Sequence, residues 1–111
     1  MRWNTPTTED LFRAILGLAT LDETKRFFRD LLTEEEIVEF SRRWQAAQML
    51  ADKVPYSRIV KKTGLSSRTV ARISVWLRKG LDGYGLAIRR KAHQRGRPDV
   101  GKSSKLSSQE K

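Results

Sequence analysis

Apolar positions along the chain recur at intervals of three and four, and no stretch sustains a period of two, so the pattern predicts an all-α protein. Glycine and proline fall between the periodic runs, where they act as punctuation. A first helix is expected from about Thr8 to Ala19, capped by Thr7 or Thr8. Glu9 and Asp10 favour its positive end, and Leu11, Ile15 and Leu18 form an apolar line that Phe12 and Leu16 broaden. After a corner at Thr20 and Leu21, a second helix fits Asp22 to Leu32, with Asp22 as cap and Phe27, Phe28, Leu31 and Leu32 as its buried content.

"TEEEIVEFSRRWQAAQMLADK" opens the long helix, because Thr33 followed by Glu36 is the spacing of a capping box. Ile37, Phe40, Trp44, Ala47 and Leu50 or Ala51 make a stripe suited to a core or a dimer seam. Pro55 ends this helix near Lys53 and suits the first turn of a short helix from Pro55 to Lys62. Gly64 supplies a left-handed residue, Ser66 a cap, and Ser67 to Lys79 a further helix closed by Gly80. A short helix, a tight turn and a second helix form a helix-turn-helix unit. Asp82 caps a last helix that runs through about Ala92, with Tyr84, Leu86 and Ile88 for packing. This divides the chain into an amino-terminal arm, 1–7, a helix-turn-helix domain, 8–93, and a basic disordered tail, 94–111.

Periodicity sorts the faces of the Ser67–Lys79 helix. Val70, Ile73 and Leu77 pack inward with Ile59 and Leu65, whereas Ser67, Arg68, Ala71, Arg72, Val75 and Arg78 lie on or near the opposite side. The stretch "TGLSSRTVARI" thus turns at a glycine, caps with a serine, and holds two arginines four residues apart clear of the core.

Charge gives that exposed face a partner. The net charge is +10, and it is unevenly spread: residues 1–52 sum to −3, whereas residues 53–79 hold eight Lys or Arg and no acid. Such asymmetry points to a polyanion. Small Ser67 and Ala71 let the backbone approach a duplex, and a guanidinium fork at Arg68 or Arg72 matches guanine O6/N7 or a phosphate. Arg58, Lys61, Lys62, Ser66 and Lys79 are expected to hold phosphates, and Ser67, Arg68, Thr69, Ala71 and Arg72 to read bases. The reading is a sequence-specific, DNA-binding transcriptional regulator. The alternative from another class is a helical interaction protein that docks on a protein partner and binds RNA nonspecifically through its basic face.

Other chemistry finds little support. Cysteine is absent, which removes disulfides, thiolate metal sites and cysteine nucleophiles. His93 is the sole histidine, and no nucleophile stands with a base or a phosphate-cradling loop, so no enzyme is expected. Glu34, Glu35 and Glu36 are accounted for by capping and the helix dipole, and no metal site is assigned. "MRWNTPTTEDLF" lacks the apolar run of a signal peptide, and no stretch nears the roughly 20 apolar residues of a membrane span, so the expected location is the cytoplasm.

The segments "DLFRAILGLATLDETKRFFRDLLTEEEI", "SRRWQAAQMLADKVPYSRIVKKTGLSSRTVARI" and "LDGYG", in that order, resemble the Trp repressor superfamily, and within it the YerC/YecD group of Trp-repressor-like bacterial proteins. The resemblance runs from about Glu9 to Arg90. It implies a helical bundle of about six helices and an intertwined homodimer, whose amino-terminal helices share one core and whose two helix-turn-helix heads bind double-stranded DNA. It makes Ser67, Arg68 and Thr69 the residues that approach bases, flanked by Ser66, Ala71 and Arg72. It also sets Arg43 and Arg72 where two arginines sandwich the corepressor tryptophan of the Trp repressor. Ile73 and Trp76 replace small residues there and would crowd such a ligand, so no cofactor is expected, and Arg43 is expected to pair instead with an acid on the same or the other chain.

Overall fold

A computed structural model of the protein describes residues 2–96 and consists of six α-helices, with no strand among the described residues. They are α1 (Pro6–Leu16), α2 (Leu21–Leu31), α3 (Glu34–Ala51), α4 (Tyr56–Thr63), α5 (Ser67–Lys79) and α6 (Gly83–Gly96). None is long and apolar enough to cross a membrane. The chain forms two compact units that divide between Ser41 and Arg42, inside α3.

In the first unit local capping decides where the helices start. Thr5, ahead of the expected cap, begins α1: its Oγ1 accepts from the Thr8 N–H at 3.2 Å, and its own N–H donates to Thr8 Oγ1 at 2.9 Å. Thr8 is therefore the returning half of a capping box rather than the cap. Pro6 occupies the first turn, where a missing N–H costs nothing. The helix stops at Leu16, short of Ala19, with Gly17 as its cap. Thr20, not Asp22, caps α2 by accepting from the Glu23 N–H at 3.1 Å, and the Glu23 carboxylate reaches back to the Ala19 N–H at 2.8 Å. The capping box at Thr33 and Glu36 is as expected, with reciprocal bonds of 2.9 and 3.1 Å.

Neither α1 nor α2 contains a buried residue. Phe12, Leu16, Leu21 and Leu31 stand exposed, with Leu16 at 83%. Phe27 and Phe28 meet edge to face and are half-buried, so the content expected to be buried in α2 is only partly covered within one chain.

The second unit holds the buried residues. Ala46 and Ala47 of α3, Ile59 of α4, Leu65 of the turn, and Val70 and Ile73 of α5 form its core, and all but Leu65 are wholly inaccessible. Each buried Ile, Val or Leu contributes about 1.5–3 kcal/mol, a small core in total. Ala46 and Ala47 are the share of α3 in this core, and Trp44, Met49, Leu50, Val54, Val60 and Tyr84 close the margin. From the expected α3 stripe, Ala47 is buried and Trp44 and Leu50 are half-buried, but Phe40 and Ala51 are exposed.

The α3 terminus is a Schellman turn: Val54 N–H donates to the Met49 carbonyl and Lys53 N–H to the Leu50 carbonyl, both at 3.0 Å. Lys53 takes the left-handed conformation there, with φ of 64°. Pro55 consequently precedes α4 as its cap residue instead of opening it. The last helix runs to Gly96, past Ala92. Asp82, at φ of 65°, precedes it and pairs with Arg89 at 2.8 Å. Lys91 donates to Gln48 Oε1 at 2.6 Å, and Trp44 stacks on Tyr84, so α6 is fastened to the carboxy-terminal half of α3. Residues 97–111 of the expected tail lie outside the described residues.

Candidate nucleic-acid interface

α4, the turn at residues 64–66 and α5 build one rigid element. Gly64 has φ of 78°, a region closed to most side chains, and its N–H donates to the Val60 carbonyl at 2.9 Å. Thr63, buried, does two jobs with one hydroxyl: Oγ1 donates to the Ile59 carbonyl at 2.7 Å and accepts from the Leu65 N–H at 3.2 Å. The turn's buried backbone donor is thereby satisfied, and Leu65 is held in the core. Ser66 begins α5 by accepting from the Thr69 N–H at 3.1 Å. α5 spans Ser67–Lys79 with Gly80 beyond it, as expected.

This framework fixes which way α5 faces. Val70 and Ile73 are fully buried and Leu77 is half-buried. Ser67, Arg68, Ala71, Arg72, Val75 and Arg78 are all exposed. Among the described residues, neither Arg68 nor Arg72 is engaged with a carboxylate, so both guanidinium groups remain available to an external anion. Arg78 turns back along its own helix, its Nε donating to the Ser74 carbonyl at 3.3 Å.

The expected residues therefore separate by situation. Ser67, Arg68, Ala71 and Arg72 share one open face. Thr69 is half-buried, and its Oγ1 lies 3.0 Å from Ser66 Oγ, so both hydroxyls serve the helix start. Arg58, Lys61 and Lys62 are exposed on α4, and Lys79 is exposed in the last turn of α5. Lys61, Lys62, Arg78 and Lys79 also sit at helix ends whose dipole favours cations.

Arg43 and Arg72, which the resemblance sets at the corepressor clamp, are both exposed. Arg43 acts on Tyr84: burial pushes the Tyr84 phenol up from its ordinary value, and the Arg43 charge opposes that rise. Ile73, expected to crowd the clamp, is instead wholly buried in the core behind α5. Trp76, 47% exposed and one turn beyond Arg72, is the bulky side chain at the surface.

Hydrophobic periodicity does not single out Thr63. A threonine just ahead of the turn glycine, four residues after an apolar helix position, is the available signal, since its hydroxyl reaches the carbonyl one turn back.

A family model described as Trp repressor protein matches residues 7–92. An uncharacterized protein YerC of Bacillus subtilis is 39% identical over 82 residues, covering 74% of this chain and 79% of that protein. The crystal structure of a TrpR-like protein from Eubacterium eligens superposes with a TM-score of 0.77 at 40% identity, covering 81% of this chain and 93% of that one. A putative Trp repressor from Staphylococcus aureus gives a TM-score of 0.76 at 33% identity, with 83% and 95% covered.

Proposed function

This chain belongs to the Trp repressor family, and from that premise we propose that it is a DNA-binding transcriptional regulator that recognises a roughly palindromic operator as a homodimer. The observation that carries the reading is the α5 face. A helix locked by Ser66, Val70 and Ile73 holds Arg68 and Arg72 out, paired with no carboxylate among the described residues, in a block of sequence without acids. A positive, rigid helix start is the part of a helix-turn-helix that enters the major groove.

In this reading Arg68 and Arg72 recognise base edges, each with a planar fork suited to guanine O6/N7. Ser67 and Ala71 permit close approach. Thr69 and Ser66 fix the helix start, and Ser66 also lies where a phosphate passes. Arg58, Lys61, Lys62 and Lys79 neutralise phosphates and set register without reading sequence. No acid-base or covalent step is needed for this activity.

Dimerisation is supported by the first unit. Two helices that bury none of their own residues, with Phe12, Leu16, Leu21 and Leu31 exposed, require another surface, and an isologous contact between two copies supplies it. Two-fold symmetry then places half-sites about 34–36 Å apart, one turn of duplex.

Arg68→Ala tests the assignment. Binding to an operator selected with the parent protein is expected to weaken by about 1–3 kcal/mol, with relaxed preference at one base position per half-site. Unchanged affinity and unchanged preference in a titration at fixed salt would remove Arg68 from the reading face.

A further inference from the structure

Ahead of Lys79, the first three positions of one ridge of α5 carry no charge and are not buried. Ser67, Ala71 and Val75 follow one another at four-residue spacing, all exposed, beside the ridge of Arg68 and Arg72. Val70, Ile73 and Ser74 are the residues of α5 that do the packing. An exposed valine on a face otherwise marked by arginine, 44% accessible, departs from the usual composition of a solvated helix side. Within this ridge Ala71 lies one turn into α5, on the same face as Ser67 and between the two arginines.

We propose that Ala71 reads the C5-methyl group of a thymine in each half-site. The proposal rests on the reading above, that α5 enters the major groove. A methyl side chain offers no hydrogen bond, so against a cytosine N4 donor or a guanine O6 acceptor it leaves a polar group unpaired. The thymine methyl is the one major-groove feature that gains from alkyl contact. Alanine is also short enough that Arg68 and Arg72 reach past it to flanking bases. The half-site therefore carries a thymine next to the arginine-read positions, and Ala71 discriminates there through apolar contact while the arginines supply hydrogen bonds.

The test is a scan of the selected operator in which each thymine in turn, with its symmetry mate, is replaced by deoxyuridine, which removes the methyl and keeps base pairing. The unaltered protein is expected to lose about fourfold in affinity per half-site at one position, the equivalent of one methyl-sized apolar contact. In Ala71→Gly that position is expected to show no difference between thymine and deoxyuridine, while the preference read by Arg68 persists. Equal binding of every deoxyuridine duplex by the unaltered protein, or the same penalty in Ala71→Gly, would overturn the proposal and leave the operator reading standing. Failure of the unaltered protein to select any operator would instead overturn the reading beneath it. Where the glycine weakens α5, the scan on the unaltered protein still overturns the proposal if no deoxyuridine position costs affinity.

Discussion

At the residue scale, single side chains settle geometry that longer patterns leave open. Lys53 is a lysine in the position of a Schellman turn that glycine ordinarily fills, held at φ of 64° by two backbone bonds. A Cβ in that region costs about 1–2 kcal/mol, offset in part by glycine's greater freedom in the unfolded chain. Lys53→Gly is therefore expected to stabilise the protein by about 1 kcal/mol, read as a raised midpoint in denaturant at fixed protein concentration. A lowered midpoint would mean that the lysine makes a compensating contribution. Arg43 illustrates a different lesson. Its match to a ligand clamp comes from resemblance alone, while its environment in the chain, beside the Tyr84 phenol, depends on how α6 returns to α3.

At the scale of elements, the limits of α5 and its inward and outward faces were legible because each signal is local: a serine cap, a four-residue apolar repeat and a closing glycine. The starts of α1 and α2 were less so. Threonine and aspartate are both good caps, and with Thr5, Thr7 and Thr8 so close together the choice falls to which one makes the reciprocal bond. Ala46 was not legible because a stripe is traced by large residues, whereas the burial of a small one follows only from packing in the folded unit. Thr63 was not legible because a polar letter next to a turn suggests exposure, and its burial follows only from the angle between α4 and α5. Its hydroxyl accepts from the Leu65 N–H in the turn between the two helices. Thr63→Val keeps the volume but strips the Leu65 N–H of its buried acceptor, and is expected to cost about 1–3 kcal/mol of stability with a weaker operator complex. Thermal and binding titrations that match the parent would show that the turn does not need the bond.

For the whole molecule, the division of labour follows charge and burial together. The first unit is acid-rich and buries nothing alone, and the second is basic and holds the core. Under the proposed assembly the first unit gains its core from a second copy, so Leu16, 83% exposed in one chain, becomes interior. Leu16→Glu is expected to convert a dimer into a monomer in sedimentation equilibrium and to abolish high-affinity operator binding. A parent protein that sediments as a monomer at micromolar concentration would refute the assembly.

Across these scales, two symmetric α5 helices are proposed to read one duplex. Selection from a pool of random duplexes by the purified protein is the decisive experiment. A consensus with inverted half-sites whose centres lie about 34–36 Å apart is expected. Binding of equal strength to RNA, single strands and every duplex, varying only with salt, would contradict it.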